Sequence, residues 1–400
     1  MKIKKVRCVQ INSPVLKPSP NTRPGWNTHA IRSNPIARYT EFTRVDGHKP
    51  GTTQKAWVQI TAEDGTFGLG SFAHGQIGAS LVDYFIAPLI EGKNALATEL
   101  INDLIWRSNE GFQGGIATAA QSGVDLALWD LKGKLLGRPV YELIGGPSRK
   151  AVELYATGDD LEWMKELGFK RFKISNPFFY EEGSEGLEKL EEHVAKSREI
   201  VGEEAELTFN PVMSFNADLA LRVAERLRPY NLRWFEEPLP PWDLEGYIEL
   251  KRAMTWTALA TGEHHYGRKS FHQLISARAA DILQPDIEYT GGLSETLKIY
   301  TNAEAAGIET ITHIGGNTAW GQHFAVAMPE SSLAEWFMHT DVGQSLGDRL
   351  LPGVSAPEKG KVVPSDAPGF GLEIPENWIV PWKHGNQVRV TYLAPKGSVK

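Results

Sequence analysis

Asn210, Glu236, Glu263, Asp286 and His313 each end a short apolar, strand-like run, and they follow one another at intervals of 26, 27, 23 and 27 residues. Such an interval holds one strand and one helix. In a closed parallel (β/α) barrel the C-terminal ends of all strands open on one face, so side chains placed there converge although they are far apart in the chain. The runs around Phe235-Glu236-Glu237-Pro238, Gly262-Glu263-His264-His265 and Gln284-Pro285-Asp286 put acids directly after apolar strands, where desolvation is costly unless a cation compensates. Acids followed by an Asp and a His read as a hard-cation site beside an acid/base pair, and oxygen-only ligands favour Mg²⁺ over zinc.

The elements that must carry these residues follow from periodicity. After Gly145-Gly146, short apolar strands alternate with amphipathic helices: Val152–Ala156, Phe169–Ile174, Glu206–Val212, Leu232–Phe235, Ala258–Thr261, Asp281–Gln284, Glu309–Ile314 and Leu333–Phe337. Eight such strands close a barrel. Ahead of them, residues 2–11 and 55–70 read as strands, with Asp64-Gly65 as a hairpin turn. The segment 12–54 carries many Pro, Asn, Gly and Arg residues without a clear period and reads as a long loop, a length that usually marks a functional lid. Val124, Leu128, Leu131 and Leu135 share one helical face, and Gly137 followed by Pro139 ends that helix. Asp125 and Asp130 on it read as solvated or capping side chains. The tail from about 355 is rich in Pro and Gly and is expected to return to the N-terminal part.

A chain of 400 residues accommodates a barrel of roughly 250 residues and a smaller second domain. With 41% apolar and 23% charged residues, the composition is that of a soluble globular protein. A net charge of −7 and pI near 5.9, with no basic stripe, argue against a nucleic-acid partner. An anionic substrate would need a local positive focus such as a metal ion. The N-terminus lacks the apolar h-region of a signal peptide, no transmembrane segment is expected, and the lone Cys8 cannot form an intrachain disulfide. A reducing cytoplasm fits these features.

Taken in order, VDLALWDLKGKLLGRPVYELIGG (124–146), WFEEPLPP (234–241), GEHH (262–265), QPD (284–286) and GGL (291–293) resemble the enolase superfamily, mandelate racemase subgroup, and within it the L-rhamnonate dehydratases. The likeness spans residues 1–375. It implies an α/β fold: a modified TIM barrel, (β/α)7β, over residues 149–364, an N-terminal α+β capping domain over 1–148, and a tail over about 365–400 packing back on that cap. It implies Mg²⁺ held by Asn210, Glu236 and Glu263, His313 as general base with Asp286 orienting it, and Glu335 hydrogen-bonding an enediolate oxygen. The activity implied is dehydration of a small acid sugar to a 2-keto-3-deoxy acid, by a homo-oligomer. His29 and Arg44, in a segment that also holds Arg32 and Arg38, together with Lys173, His264 and Trp320, are expected near the substrate. Trp242 and Trp256 are expected to pack.

Two departures from the family pattern carry weight. Where racemases of the subgroup carry Lys-x-Lys, this chain has Lys173-Ile174-Ser175; without the second lysine a one-base dehydration is favoured over racemisation. At the first ligand position Asn210 replaces the family's Asp, which removes one negative charge and weakens metal binding. Two alternatives therefore stand beside the first reading: another aldonate, such as L-lyxonate or L-mannonate, or a metal-poor relative that binds an acid sugar without turning it over.

Overall fold

A computed structural model describes residues 1–14, 35, 39, 55–108, 110–177, 183–338 and 345–385. His29, Arg32, Arg38 and Arg44 lie outside the described residues. The chain opens with β1 (Ile3–Ile11), β2 (Ala56–Ala62) and β3 (Phe67–Phe72), an antiparallel sheet whose β2–β3 hairpin turns at Asp64-Gly65. Gly65 takes φ 92°, a conformation that glycine adopts without steric penalty, and the Asp64 carboxylate accepts the Thr66 N–H at 3.0 Å.

One helix, Gly115–Leu136, lies across this sheet, and its stop at Gly137 in the left-handed region (φ 63°) is the one read from sequence. Val124, Leu128 and Leu131 are buried, each contributing about 1.5–3 kcal/mol. The sheet lies almost on the helix backbone: a Cβ at Gly70 would come within 2.4 Å of the Gly123 carbonyl, and one at Gly68 within 2.1 Å of the Ala127 carbonyl. The opposite face of the helix is buried too, against the barrel, which a single apolar stripe does not announce. Asp125 and Asp130 are thus not solvated. Asp130 accepts N–H bonds from Leu69 and Phe370, and Asp125 accepts both the N–H (2.9 Å) and the hydroxyl (2.6 Å) of Ser294. Burial lifts the Asp125 carboxyl to about 7 against those hydrogen bonds.

The barrel strands are β4 (Val152–Thr157), β5 (Arg171–Ser175), β6 (Glu206–Asn210), β7 (Trp234–Glu236), β8 (Ala258–Thr261), β9 (Ile282–Leu283), β10 (Glu309–Thr310) and β11 (Leu333–Phe337). They pair in parallel in the order β10-β9-β8-β7-β6-β5-β4-β11. Between β10 and β11 no strand ladder forms; the Asn317 side chain stitches the gap by donating to the Phe337 carbonyl and accepting its N–H. β12 (Lys361–Val362) runs antiparallel to the start of β4, an addition the sequence pattern did not announce, and β13 (Ile379–Pro381) pairs antiparallel with β1.

β6 and β10 stop well before the ends of their apolar runs at Val212 and Ile314. β6 stops at Asn210 because Pro211 cannot donate to a ladder, and the next residues turn left-handed, Val212 at φ 53° and Met213 at φ 60°. β10 stops at Thr310, and the chain leaves through Ile314 at φ 43°. Trp242 is 78% exposed and does not pack as expected, whereas Trp256 is half-buried beneath the Arg228 guanidinium, 4.8 Å from its ring. Among the described residues no helix is long and apolar enough to cross a membrane.

His323, on the helix Ala319–Ala327 behind the β10–β11 gap, is fully buried; its Nδ1 accepts the Tyr141 N–H at 3.2 Å. Burial drives its pKa from 6.5 to about 3. The unfolded chain therefore binds this proton first, and stability falls as pH drops from about 6.5 towards 3. Urea unfolding between pH 7 and 4.5 should show a slope shallower by about one proton, roughly 1.4 kcal/mol per pH unit, in His323→Asn than in the natural chain. Equal slopes would assign the acid lability elsewhere.

Candidate active site

The strand-end pattern works because side chains two apart on a strand share a face. Tyr155, Trp234, Ile282, Ile311 and Leu333 fill the inside of the barrel. Two residues further along each strand direction stand Thr157, Glu236, Gln284, His313 and Glu335. An apolar layer thus carries a polar layer at the C-terminal mouth.

Lys173 on β5 is the centre of that layer. It is not a surface residue: its side chain is 2% exposed, and its Nζ lies 2.5 Å from Glu236 Oε1 and 2.7 Å from Glu335 Oε1. Burial disfavours the ammonium, but Glu236 and Glu335 outweigh it and hold the Lys173 pKa well above its usual value. Glu335 accepts from the Thr157 hydroxyl and the Ile314 N–H as well. Burial opposes its ionisation, yet Lys173 and then His313 bring it down to about 2. Glu335 is therefore an acceptor here, and the proton-bearing group it presents to the mouth is the lysine it holds.

Glu236 receives four N–H donors: Lys173, Asn210 Nδ2 at 2.8 Å, and Trp234 Nε1 and Gln284 Nε2 at 2.9 Å each. Burial pushes its pKa up, but a carboxylate with all its lone pairs engaged has no place for a proton, so Glu236 is ionised. Asn210 uses both ends of its amide, because its Oδ1 accepts the Val212 N–H at 2.6 Å and so holds the left-handed turn after β6. An Asp at this position could keep the second bond but not the first.

Across the mouth, His313 Nδ1 lies 2.7 Å from Asp286 Oδ2, and its Nε2 lies 3.2 Å from Glu263 Oε1 and 4.0 Å from Glu335 Oε2. Burial works against its charge, but Glu263, Asp286 and Glu335 raise it to about 9. A second imidazole points to the same oxygen: His264 Nε2 is 3.8 Å from Glu263 Oε1, while its Nδ1 lies 2.6 Å from Glu237 Oε2. His264 likewise rises to about 9, burial opposing and Glu237 leading. Glu237, at the strained φ of 37°, is 1% exposed and also takes the N–H groups of Gly262 and His264.

Of the residues singled out from sequence, Asn210, Glu236, Lys173 and Glu335 form one connected group, and Glu263, His264, Asp286 and His313 another that touches it through Glu335. Trp320 is buried edge-on to Trp57 and Phe370 at centroid distances of 6.0 and 5.9 Å, a packing position rather than an open wall. Glu237, Gln284, Thr157 and Trp234 were not anticipated. The Glu236-Glu237 doublet was a signal for the first, since on a strand end one of two neighbours must point away from the barrel axis.

Within this connected group, among the described residues, five acids (Glu236, Glu237, Glu263, Asp286, Glu335) face three bases (Lys173, His264, His313). The donor set is mostly carboxylate oxygen and carries an excess of about two negative charges, which suits a hard divalent cation. Asn210, Glu236 and Glu263 fit only if the Asn210 amide turns its oxygen towards Glu236. Glu237, Glu263 and His264 offer a second grouping, with ligand atoms all within 4.8 Å of one another.

Removing the central ammonium would leave two buried carboxylates uncompensated. Lys173→Met should destabilise the fold by about 3–5 kcal/mol, and adding Glu335→Gln should recover more than half of that in urea unfolding. A loss in the double variant as large as in the single one would show that Lys173 does not act through these acids.

Residues 44–145 match the family model described as mandelate racemase / muconate lactonizing enzyme, N-terminal domain, and residues 157–378 match the one described as enolase C-terminal domain-like. The chain is 34% identical over 381 residues to an L-rhamnonate dehydratase of Saccharopolyspora erythraea, covering 94% of this chain and 97% of that one. Its fold is similar to the crystal structure of L-rhamnonate dehydratase from Gibberella zeae, with TM-score 0.83, 29% identity, and 95% and 96% of the two chains covered. It is equally similar, at TM-score 0.83, 28% identity and the same coverage, to rhamnonate dehydratase from that organism complexed with Mg. By sequence and fold together, the chain belongs to the enolase superfamily, mandelate racemase subgroup.

Proposed function

We propose that this protein is a Mg²⁺-dependent hydro-lyase that dehydrates an acid sugar of the L-rhamnonate kind. The observation that carries the reading is His313: half-buried, tied through Nδ1 to Asp286, with Nε2 facing the mouth against Glu263 and Glu335. The relatives named L-rhamnonate dehydratase, one of them complexed with Mg, support it. Asn210, Glu236 and Glu263 are the ligands in this reading. When bound, a divalent cation offsets Glu263 and the neighbouring carboxylates, which favours neutral His313, and it compensates charge developing on the substrate carboxylate.

The rest is performed by the chain. Asp286 accepts the hydrogen bond from Nδ1–H, which keeps that proton on Nδ1 and leaves Nε2 as the atom that takes the proton from C2. The C2–H electrons form the new C=C bond as the C3–O bond breaks, and the departing hydroxide leaves as water with the proton from Nε2. The enol then tautomerises to the 2-keto-3-deoxy acid. Lys173 donates to the substrate carboxylate, and His264, held as a cation by Glu237, contacts its hydroxyls. His29 and Arg44 complete the sugar contacts, and choice among L-rhamnonate, L-lyxonate and L-mannonate rests with residues of that kind. Ser175 donates to Asp159 at 3.0 Å, so the position of a second base holds a hydroxyl. Assembly as a homo-oligomer in the cytoplasm belongs to the same reading, from the family likeness and from Cys8, which is free and buried.

A second reading, binding without turnover, is favoured by one observation: Asn210 turns its amide nitrogen, not its oxygen, to Glu236. Screening an acid-sugar library with Mg²⁺ for 2-keto acid formation separates the two. His313→Asn should lower both dehydration and C2 exchange in D₂O by at least about a hundredfold with unchanged circular dichroism; retained exchange would remove His313 as the base. No C2 epimer should form from a single substrate, and its appearance would require a second base. Asn210→Asp should bind Mg²⁺ at least about tenfold tighter, roughly 1.4 kcal/mol, and melt lower in EDTA, where the introduced carboxylate would face Glu236 without a cation. Equal affinities would exclude Asn210 as a ligand and favour the Glu237, Glu263 and His264 grouping.

A further inference from the structure

Asp286 is oriented by two bonds: Oδ2 to His313 Nδ1, and Oδ1 from the Glu288 N–H at 2.7 Å. The turn that supplies this N–H wraps back on Asp286, whose carbonyl accepts the N–H groups of Tyr289 and Thr290 at 2.9 Å each. Glu288 itself is 1% exposed. Its carboxylate reaches out of the barrel to the N-terminal sheet, where Ser71 of β3 donates to Oε1 at 2.5 Å and Lys55, the residue before β2, lies 2.6 Å from Oε2.

A buried carboxylate is tolerated only while its partners stay in place. Its backbone N–H and its side chain belong to one residue, so whatever fixes the side chain fixes the donor to Asp286. The N-terminal domain is joined to the barrel elsewhere, through Asp125 and Trp129 to Ser294, so Lys55 and Ser71 are not required merely to hold the domains together. We propose that Glu288 is a positioning residue: pinned by Lys55 and Ser71 across the domain boundary, it sets the plane of the Asp286 carboxylate and hence the aim of His313. The consequence rests on the reading of Asp286 and His313 as the reacting pair. The pinning itself does not.

Lys55 is the residue to vary, because its side chain is 48% exposed and its loss leaves no cavity. In Lys55→Met, hydrogen exchange of the Glu288 N–H, read by mass spectrometry on a peptide spanning 286–290, should accelerate about tenfold. The kcat for dehydration should fall by about ten- to a hundredfold, the penalty of a small misplacement of a reacting group, with KM little changed. Lys55→Arg should restore both, and Ser71→Ala should reproduce both more weakly. An unchanged Glu288 amide would overturn the pinning whether or not any acid sugar is turned over. A faster amide with unaltered kcat in an active enzyme would overturn the positioning role. Absence of turnover by the natural chain across the sugar library would instead refute the dehydratase reading, with the amide measurement still deciding whether Lys55 holds Glu288.

Discussion

The mouth of this barrel is organised around a buried ammonium that is too little for the carboxylates it serves. Lys173 touches Glu236 and Glu335 at 2.5 and 2.7 Å, and taking three charges out of water is repaid only when geometry and hydrogen bonding are nearly complete. They are: Glu236 is saturated by N–H donors, and Glu335 takes a hydroxyl and a backbone N–H besides. Glu237, Glu263 and Asp286 then find only two imidazoles to balance them. Against the cost of burial, Glu237 and Glu263 lift His264, and Glu263, Asp286 and Glu335 lift His313, to about 9.

That arrangement gives Asn210 a physical meaning. An Asp there would add a further negative charge beside Glu236, whereas the amide donates to Glu236 and still holds the Val212 turn. The substitution eases the metal-free protein and makes the cation less needed. In the proposed reading the same charge excess links the two halves of the site: a dication offsetting Glu263 would also loosen the proton on His313, so cation binding and the readiness of the proposed base would be one equilibrium.

The sequence made the barrel legible because strand ends recur at one βα interval and because short apolar runs alternate with amphipathic helices. The Asp286 and His313 pair followed from the same spacing. Less was legible where a partner lies far off in the chain. Nothing local in Lys173-Ile174-Ser175 says that the lysine bridges Glu236 and Glu335, 63 and 162 positions away, and nothing in Asp286-Ile287-Glu288 announces Lys55 and Ser71. Asp125 and Asp130 are not solvated because their helix is covered on both sides, which a helix's own periodicity does not report, while Asp125 does cap the first turn of the helix Leu293–Ala305 through the Ser294 N–H. The end of β6 lies before the apolar run ends because Asn210-Pro211 breaks the ladder and the Asn210 side chain holds the Val212 turn.

The central claim is that the carboxylate excess holds a proton on His313 which a divalent cation displaces. Calorimetric titration of Mg²⁺ at pH 8 in buffers of different ionisation enthalpy counts the protons released. The account predicts release of about one proton or more, reduced by roughly one in His313→Asn. Mg²⁺ binding with no proton release, or with the same release in that variant, would contradict it.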